Sequence, residues 1–228
     1  MPDCIILAGG LGTRLQSVVN DRPKCLANIG NRPFLAYLLD YLQQQGVRNV
    51  VLSLGYKHEL VEEWLLSYSS SLQIKIVVEE VPLGTGGGIK LALEKTTSPA
   101  VLVVNGDTLF AIDVAQLYAC HQRNKCQVTL GLKPMRNFDR YGRVLIDKEQ
   151  VTEFCEKQFC TEGLINGGVF ILQRESLQRF PDKFSFEKDF LEQVTGKNIG
   201  GYIEDGYFID IGIPEDYERA QWEITQKL

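Results

Sequence analysis

Two aspartates that follow apolar runs are the first candidates for chemistry in this sequence. Asp107 comes after the apolar run 100–104 and an Asn-Gly pair, and Asp210 lies in the stretch IDIG. Each run predicts a strand, so both carboxylates should lie at strand ends. Proteins commonly hold Mg²⁺ with one or two carboxylates together with substrate phosphates. Each aspartate alone is also explained as a turn residue, above all in Asn-Gly-Asp.

A glycine-rich loop, LAGGLGTRL, begins at the end of the first apolar run, residues 4–7. Glycines let the backbone approach a ligand closely, and converging backbone N–H groups favour phosphate. The loop is not a Walker A loop, because the sixth residue counted from Gly9 is Arg14. It is not a dinucleotide fingerprint either, because the sixth residue from Gly10 is Leu15. A tight turn would explain the glycines alone.

Two cations near this loop are not explained by a turn. Pro23 biases Arg22 toward an extended conformation and so sets the approach of the chain to Lys24. Arginine offers a planar fork for phosphate oxygens, and lysine offers a compact charge. Arg14 and Lys24 could therefore both reach a triphosphate, although each alone is more often a surface cation.

The elements that must position these residues alternate between strands and helices in the first half of the chain. The pattern of apolar residues predicts strands at 4–7, 49–54, 73–78, 100–104 and 127–132, and helices at 33–45, 59–67, 86–94 and 114–123. This order predicts parallel strands with helices on both faces of the sheet. Ligands bind such sheets at the carboxyl ends of the strands.

The second half of the sequence changes character. We expect a hairpin over 141–156, a strand at 164–172 and a short helix at 185–194. Two short strands within 201–211 and a last helix at 213–226 complete the pattern. Together the two halves predict an α/β protein with a mixed, mostly parallel sheet.

Composition excludes several classes of protein. The 228 residues carry a formal net charge of -5, which argues against a general nucleic-acid binder. No apolar run reaches the length of a membrane span, so we expect no membrane partner. The start, MPDC, lacks the basic segment of a signal peptide. The six cysteines form no C-x-x-C pair, which favours free thiols in the cytoplasm.

Several blocks of the sequence resemble the sugar-phosphate nucleotidyltransferases. The blocks are LAGGLGTRL with RPKCL, EEVPLGTGG (79–87), VNGDTLF (104–110), EFCEK (153–157), NGGVFIL (166–172) and FIDIGIPEDY (208–217). They span nearly the whole chain in the order that the family has. Two departures are Cys25, where the family usually has proline, and Ile213, where threonine is commoner. We expect no loss of chemistry from Cys25.

The resemblance implies a Rossmann-like, three-layer αβα nucleotidyltransferase fold in one domain over residues 1–228. It divides the chain into a nucleotide-binding half, 1–132, and a sugar-binding half, 133–228. It implies Mg²⁺ as cofactor, held by Asp107 and Asp210. These two carboxylates form the catalytic set together with Arg14 and Lys24, which would meet the departing pyrophosphate.

The family motif also assigns binding residues. Those implied for the nucleotide are Leu7, Ala8, Gly9, Gly10, Gly12, Thr13, Arg14, Lys24, Glu79, Pro82, Gly84, Thr85 and Gly106. Those implied for the sugar phosphate are Gly142, Glu156, Lys157 and Asn166. In this assignment Lys157 binds the phosphate and Glu156 a sugar hydroxyl. The glycines of LGTGGG are expected to let a flat base lie against the backbone.

One carboxylate bears on the choice of base. Guanine presents two adjacent N–H donors, which a carboxylate can accept together, whereas uracil and thymine suit an amide better. Glu79 or Glu80 therefore favours GTP, and the sequence does not choose between them.

The implied reaction is the transfer of GMP from GTP to a sugar 1-phosphate. A phosphate monoester has its second pKa near ~6, so the acceptor is already largely dianionic and needs no general base. The small number of histidines agrees with this: His58 and His121 are both expected on polar helix faces or their edges. The compact sequence most resembles members of the family that act on D-glycero-α-D-manno-heptose 1-phosphate for bacterial surface glycans.

Other functions remain open at this level. The same chemistry could act on mannose 1-phosphate, or transfer UMP to an amino sugar 1-phosphate. A non-catalytic subunit that binds a nucleotide sugar need not keep Arg14, Lys24, Asp107 and Asp210 together. An inverting glycosyltransferase normally uses Asp-x-Asp, and here Leu109 occupies the third position. The sequence leaves a homo-oligomer open.

Overall fold

The computed structural model describes residues 1–10, 12–15, 17–194 and 198–227. The strands, in chain order, are β1 (Cys4–Leu7), β2 (Asn28–Ile29), β3 (Arg32–Pro33), β4 (Asn49–Leu54), β5 (Gln73–Val78), β6 (Ala100–Asn105), β7 (Thr108–Phe110), β8 (Val128–Phe138), β9 (Gly142–Asp147), β10 (Gln150–Lys157), β11 (Cys160–Gln173), β12 (Ile199–Ile203) and β13 (Phe208–Asp210).

The helices lie between these strands. They are α1 (Phe34–Gln44), α2 (His58–Ser67), α3 (Gly84–Leu93), α4 (Val114–Asn124), α5 (Glu192–Val194) and α6 (Pro214–Lys227). Short 3-10 helices occupy Thr13–Leu15, Lys24–Leu26 and Arg174–Leu177, and a π-helical turn, Phe186–Leu191, precedes α5. Among the described residues, no helix is long and apolar enough to span a membrane.

Among the described residues, nine strands form one sheet in the order β5-β4-β1-β6-β11-β8-β12-β10-β9. The first four are parallel, and β12 is parallel to β8. Only β10 and β11 run against the other strands. A further pairing of β11 with β9 closes β11, β8, β12, β10 and β9 into a ring. The sheet is therefore mixed and mostly parallel in direction, as the sequence predicts.

Helices cover both faces of the parallel part of the sheet because the strand side chains alternate. Ile6 and Leu52 belong to a core with α1 and α4 on one face. Ile5 and Val51 belong to a core with α3 and the π-helical turn on the other. This arrangement is the three-layer αβα fold, and it confirms the predicted fold class.

Local sequence explains where some elements begin. The side chain of Asp113 accepts the backbone N–H of Gln116 at 2.9 Å and so caps α4. Gly46 ends the turn after α1 with a positive φ of 80°, the backbone conformation that glycine adopts most readily.

Other boundaries differ from the prediction. Strands β8 and β11 are longer than expected because they pair with each other from Leu172 opposite Val128 to Cys160 opposite Phe138. The helix expected at 185–194 is largely a π-helical turn. The glycine loop leads into the 3-10 turn Thr13–Leu15, which the sequence pattern does not predict. Sequence periodicity carries little information on these points, since long pairing partners and helix type are decided by tertiary contacts.

His121 was expected on a polar face or its edge, and this expectation is wrong. Its ring is fully buried, with Nδ1 2.9 Å from the Thr129 hydroxyl and Nε2 3.0 Å from the Gln173 side-chain amide. Burial lowers the pKa of His121 to about 4, which keeps the ring neutral. All six cysteines are free, as expected from their spacing.

Candidate active site

The carboxyl ends of β1, β4, β5 and β6 and the start of α3 surround a cavity of about 720 Å³, called here the central cavity. Many of the predicted nucleotide-binding or catalytic residues line it. They are Leu7, Ala8, Gly9, Gly10, Lys24, Glu79, Pro82, Gly84, Thr85, Gly106 and Asp107. Residues separated by up to about half the chain thus meet where parallel strands end.

Close approaches favour glycine at two positions in the wall of the cavity. A Cβ at Gly106 would lie 2.7 Å from the carbonyl oxygen of Leu7, and one at Gly9 would lie 3.0 Å from Glu79 Oε1. Gly10 is different, because no described atom lies within 4 Å of the position its Cβ would take. Its exposed backbone faces open space, which suits the close approach of a ligand.

The two predicted phosphate-binding cations occupy different positions. Lys24 lies in the wall of the central cavity, and its Nζ donates to Asp107 Oδ2 at 2.8 Å. Arg14 is an exposed residue of the 3-10 turn Thr13–Leu15 and is not among the described residues that line the cavity. Gly12, with a positive φ of 62°, lines a small adjoining pocket with Lys24. Two positions of the same loop, Leu11 and Gln16, fall outside the described residues.

Asp107 and Asp210 come from neighbouring segments. Asp107 lies in the tight connection between β6 and β7, and Asp210 pairs across from Thr108 where β13 runs antiparallel to β7. The backbone N–H of Ile211 donates to the Asp107 carbonyl at 2.9 Å. Asp107 follows the end of β6 and Asp210 ends β13, which agrees with the prediction that both carboxylates lie at strand ends.

The electrostatics of this pair suit a cation. Burial raises the pKa of Asp210, and repulsion from the Asp107 carboxylate raises it further. The Gly212 N–H on Oδ1 at 2.7 Å, Lys24 and the Tyr141 hydroxyl on Oδ2 at 3.2 Å oppose the rise. Two close carboxylates with spare lone pairs form an oxygen donor set of the kind that Mg²⁺ takes together with phosphate oxygens. The residues present therefore fit that ion.

The two glutamates that could read a base differ in burial. Glu79 is half-buried, and its Oε2 accepts the Leu83 N–H at 2.9 Å while the Ser53 hydroxyl lies 3.4 Å from Oε1. Glu80 is exposed at the rim of the central cavity. A Cβ at Gly88 would lie 2.7 Å from Glu79 Oε1, so glycine there makes room for the carboxylate.

The other glycines of LGTGGG lie in close contact with a neighbouring segment of the chain. A Cβ at Gly86 would lie 2.2 Å from the Phe184 ring, and one at Gly87 would lie 2.2 Å from the Asp182 carbonyl oxygen. A Cβ at Gly84, which has a positive φ of 75°, would meet the Phe184 carbonyl at 2.5 Å. These glycines make room for the segment 182–186, and only Gly84 also lines the cavity.

Sequence reasoning missed some residues of the cavity wall. Tyr56 and Lys57 follow the carboxyl end of β4 and line the cavity, as does Glu187 from the second half of the chain. Glu187 Oε2 accepts the Thr85 hydroxyl at 2.6 Å. The rule that ligands bind at strand ends could have found Tyr56 and Lys57. No local signal identifies Glu187, because its contact depends on the packing of segment 182–186.

The four predicted sugar-phosphate residues, called here the acceptor region, lie on β9, β10 and β11. Gly142 pairs with Lys157 across the β9–β10 hairpin. Asn166 lies at a bulge of β11, and its side-chain oxygen accepts the Gly168 N–H at 3.0 Å. A Cβ at Gly168 would lie 2.7 Å from the Asn105 amide, so this bulge adjoins the central cavity. The side chains of Glu156 and Lys157 are exposed.

Comparison with known proteins identifies the class of protein. The profile of the Nucleotidyl transferase family matches residues 3–227. The chain belongs to this family, as the sequence blocks indicate.

Two relatives and one solved structure are similar to this chain over nearly its whole length. The D-glycero-alpha-D-manno-heptose 1-phosphate guanylyltransferase of Aneurinibacillus thermoaerophilus is 48% identical over 225 residues, which cover 97% of this chain and 98% of the relative. The protein of the same name from Campylobacter jejuni is 44% identical over 216 residues, covering 93% and 96%. The crystal structure of HddC from Yersinia pseudotuberculosis complexed with GMP-PN is 37% identical with a TM-score of 0.88, covering 97% and 98%.

Proposed function

We propose that the chain transfers GMP from GTP to D-glycero-α-D-manno-heptose 1-phosphate, releasing pyrophosphate and forming GDP-heptose. The observation that carries the proposal is the gathering of the glycine loop, Lys24, Asp107 and Glu79 around the central cavity. The near full-length likeness to two heptose 1-phosphate guanylyltransferases supports the choice of sugar.

The transfer is a substitution at the α-phosphorus of GTP. An oxygen of the sugar 1-phosphate forms the new bond to that phosphorus, and the bond to the bridging oxygen of pyrophosphate breaks with its electron pair. The acceptor is largely dianionic at neutral pH, since its second pKa is near ~6. Catalysis therefore depends on positioning and on stabilising charge on the departing pyrophosphate.

Asp107 and Asp210 would hold Mg²⁺, which when bound neutralises phosphate charge and orients the α-phosphate. The Lys24 ammonium now lies on Asp107 Oδ2, within the cavity wall, where its charge can shift toward phosphate oxygens. Arg14 is exposed on the glycine loop and would reach the triphosphate from the solvent side. Backbone groups of Gly9 and Gly10 would lie along the same phosphates.

We propose Glu79 as the reader of guanine. Its carboxylate is half-buried and held by the Leu83 N–H, so little rotational freedom is lost when it accepts the two guanine donors. Glu80 is exposed, and water competes there for the same hydrogen bonds. Glu187 belongs to the predicted sugar-binding half, 133–228, and yet it lines the central cavity. In this proposal the nucleotide site therefore also uses a residue of the sugar-binding half.

The acceptor region would bind the sugar phosphate. Lys157 supplies the charge for the phosphate, Glu156 accepts from a sugar hydroxyl, and Gly142 and Asn166 supply backbone and amide groups near the central cavity. A cytoplasmic location and a homo-oligomeric state stay predictions.

Mannose 1-phosphate is the second candidate acceptor, since a Mycobacterium tuberculosis mannose-1-phosphate guanylyltransferase is 34% identical over 232 residues. A panel of four nucleoside triphosphates and several sugar 1-phosphates, with Mg²⁺ and pyrophosphate release as readout, tests the proposal. We expect the highest kcat/KM with GTP and the heptose 1-phosphate. Release with another pair would contradict the proposed base or sugar, and no release with any pair would favour a non-catalytic subunit.

A further inference from the structure

A chain of polar contacts runs from the first turn of α6 to Asp210. Asp216 is buried, and its Oδ2 forms an ion pair with the Arg140 guanidinium. The same nitrogen of Arg140 donates to the Tyr141 hydroxyl at 2.9 Å, and its Cζ lies 5.3 Å from the centre of the Tyr141 ring. The Tyr141 hydroxyl in turn donates to Asp210 Oδ2 at 3.2 Å.

These contacts fix the orientation of the Asp210 carboxylate. Its Oδ1 accepts the Gly212 N–H at 2.7 Å, so Tyr141 holds the oxygen that the backbone does not. The Tyr141 ring packs edge-on against Phe208 at 6.0 Å, which aims its hydroxyl at β13. Without the Tyr141 hydroxyl, the Asp210 carboxylate could rotate about its Cβ–Cγ bond.

Arg140 ties two parts of the chain that are far apart in sequence. It lies in the connection between β8 and β9, directly before the acceptor region, whereas Asp216 lies in α6. Because one nitrogen of Arg140 contacts both Asp216 and Tyr141, loss of the ion pair would free the Tyr141 hydroxyl as well.

We propose that Arg140 is a positioning residue that orients Asp210 for metal binding through Tyr141, with its ion pair to Asp216 as the anchor. The inference rests on the proposed function, in which Asp210 holds Mg²⁺. Outer partners of metal ligands typically change metal affinity or activity about 10- to 100-fold when removed. We expect an effect of that size from Arg140→Met.

The chain offers a matched control. Arg219 contacts the other oxygen of the same carboxylate, Asp216 Oδ1, at 3.1 Å, and its further partner is Glu223. Arg219→Met therefore removes one ion pair from Asp216 without touching the contact between Arg140 and Tyr141. Tyr141→Phe removes only the hydroxyl and keeps the ring packing against Phe208.

The test measures Mn²⁺ affinity by electron paramagnetic resonance in the presence of a non-hydrolysable GTP analogue, together with kcat and the KM for GTP. We expect Arg140→Met and Tyr141→Phe each to weaken Mn²⁺ binding about tenfold or more and to lower kcat, with little change in the KM for GTP. The double variant Arg140→Met/Tyr141→Phe should bind Mn²⁺ no more weakly than either single variant, because both substitutions act through the contact between the Tyr141 hydroxyl and Asp210. Arg219→Met should bind Mn²⁺ as the unchanged chain does.

Equal Mn²⁺ affinity for Arg140→Met and Arg219→Met would overturn the proposal, as would strictly additive losses in the double variant. If Arg140→Met folds poorly, the Mn²⁺ affinity of Tyr141→Phe still tests the proposal, and an affinity equal to that of the unchanged chain would overturn it. Absence of nucleotide transfer by the unchanged chain would count against the proposed function alone, because the Mn²⁺ comparison does not require turnover.

Discussion

The central cavity and the acceptor region obtain their candidate residues in different ways. The cavity takes most of them from the ends of four neighbouring parallel strands and takes Lys24 from a 3-10 turn. Lys24 and Glu79 are already held there by hydrogen bonds. The acceptor region takes them from the antiparallel-paired strands β9, β10 and β11, and there Glu156 and Lys157 extend into solvent. In the proposed function, the central cavity is thus largely preformed for the nucleotide, whereas the acceptor region would need the sugar phosphate to bring its charged groups together.

Because the two regions differ in how far they are preformed, we expect GTP to bind before the sugar phosphate. A preformed cavity loses little conformational entropy when GTP binds. The acceptor region must order two long side chains and adjoins the cavity through Asn166, so bound nucleotide would complete it. We therefore expect changes in the cavity to affect turnover and changes in the acceptor region to affect the KM of the sugar phosphate.

The largest effect is expected from Asp210→Asn. Loss of one of two metal-holding carboxylates should lower kcat by about 10³-fold or more, measured as pyrophosphate release. Because burial and Asp107 raise the pKa of Asp210, its charge opposes folding in the metal-free chain, so thermal stability should not fall. Asp205→Asn, at an exposed carboxylate paired with Lys133, is the control and should leave turnover unchanged. Normal turnover in Asp210→Asn would refute the metal assignment.

Arg14→Ala tests whether the exposed side of the glycine loop takes part in the reaction. We expect a loss of about 10²-fold in kcat, since the cation would stabilise the departing pyrophosphate. Arg22→Ala is the matched control, because Arg22 is paired with its neighbour Asp21. If both variants turn over alike, the loop is a turn with surface cations.

Glu79→Gln should lower the preference for GTP over UTP about tenfold, because an amide cannot accept both guanine donors. Glu80→Gln is the comparison and should keep the preference, measured as the ratio of kcat/KM values. The opposite ranking would assign the base to Glu80, and no change in either variant would remove the carboxylate argument for guanine.

Lys157→Met should raise the KM for the sugar 1-phosphate about tenfold while the KM for GTP stays the same, since one phosphate charge contact is lost. Lys148→Met, at the opposite end of the β9–β10 hairpin, should change neither constant. An equal rise in the KM for GTP would contradict the separation of the two regions.

Asp3→Asn should affect stability alone. Burial raises the pKa of Asp3, but hydrogen bonds from Thr97, Asn49 and Ser98 outweigh it and lower the pKa from 3.8 to about 2. A lowered pKa means that the stabilisation is present above pH 3.8 and is lost as pH falls through about 2. At pH 7 the variant should lose about 2 kcal/mol of unfolding free energy in urea, and the difference should shrink in acid. A loss of kcat at equal folding would contradict a purely structural role, since Asp3 lies at the amino end of β1, away from the cavity.

The sequence predicts the parallel half of the fold well and the antiparallel half less well. Segments 4–7, 49–54 and 73–78 are rich in apolar residues and have turn signals on both sides, and their strands have the predicted bounds. Strand β7 is three residues long and its partner β13 lies about a hundred positions away, so local patterns do not show the pair.

The candidate active site is likewise predicted only in part from the sequence. The glycine loop, Lys24 and Asp107 are visible because they cluster around strand ends, whereas Glu187 depends on a contact between distant segments. The glycines of LGTGGG show the reverse case, since their pattern suggested ligand contact, whereas close packing against segment 182–186 explains Gly84, Gly86 and Gly87.

The most direct measurement is the fate of the α-phosphate of GTP. The chain is incubated with Mg²⁺, D-glycero-α-D-manno-heptose 1-phosphate and GTP labelled either at the α- or at the γ-phosphate. The account predicts that the α label enters GDP-heptose and the γ label leaves as pyrophosphate, in equal amounts. Retention of the α label in GTP, or its release as GMP or GDP without a sugar product, would contradict it.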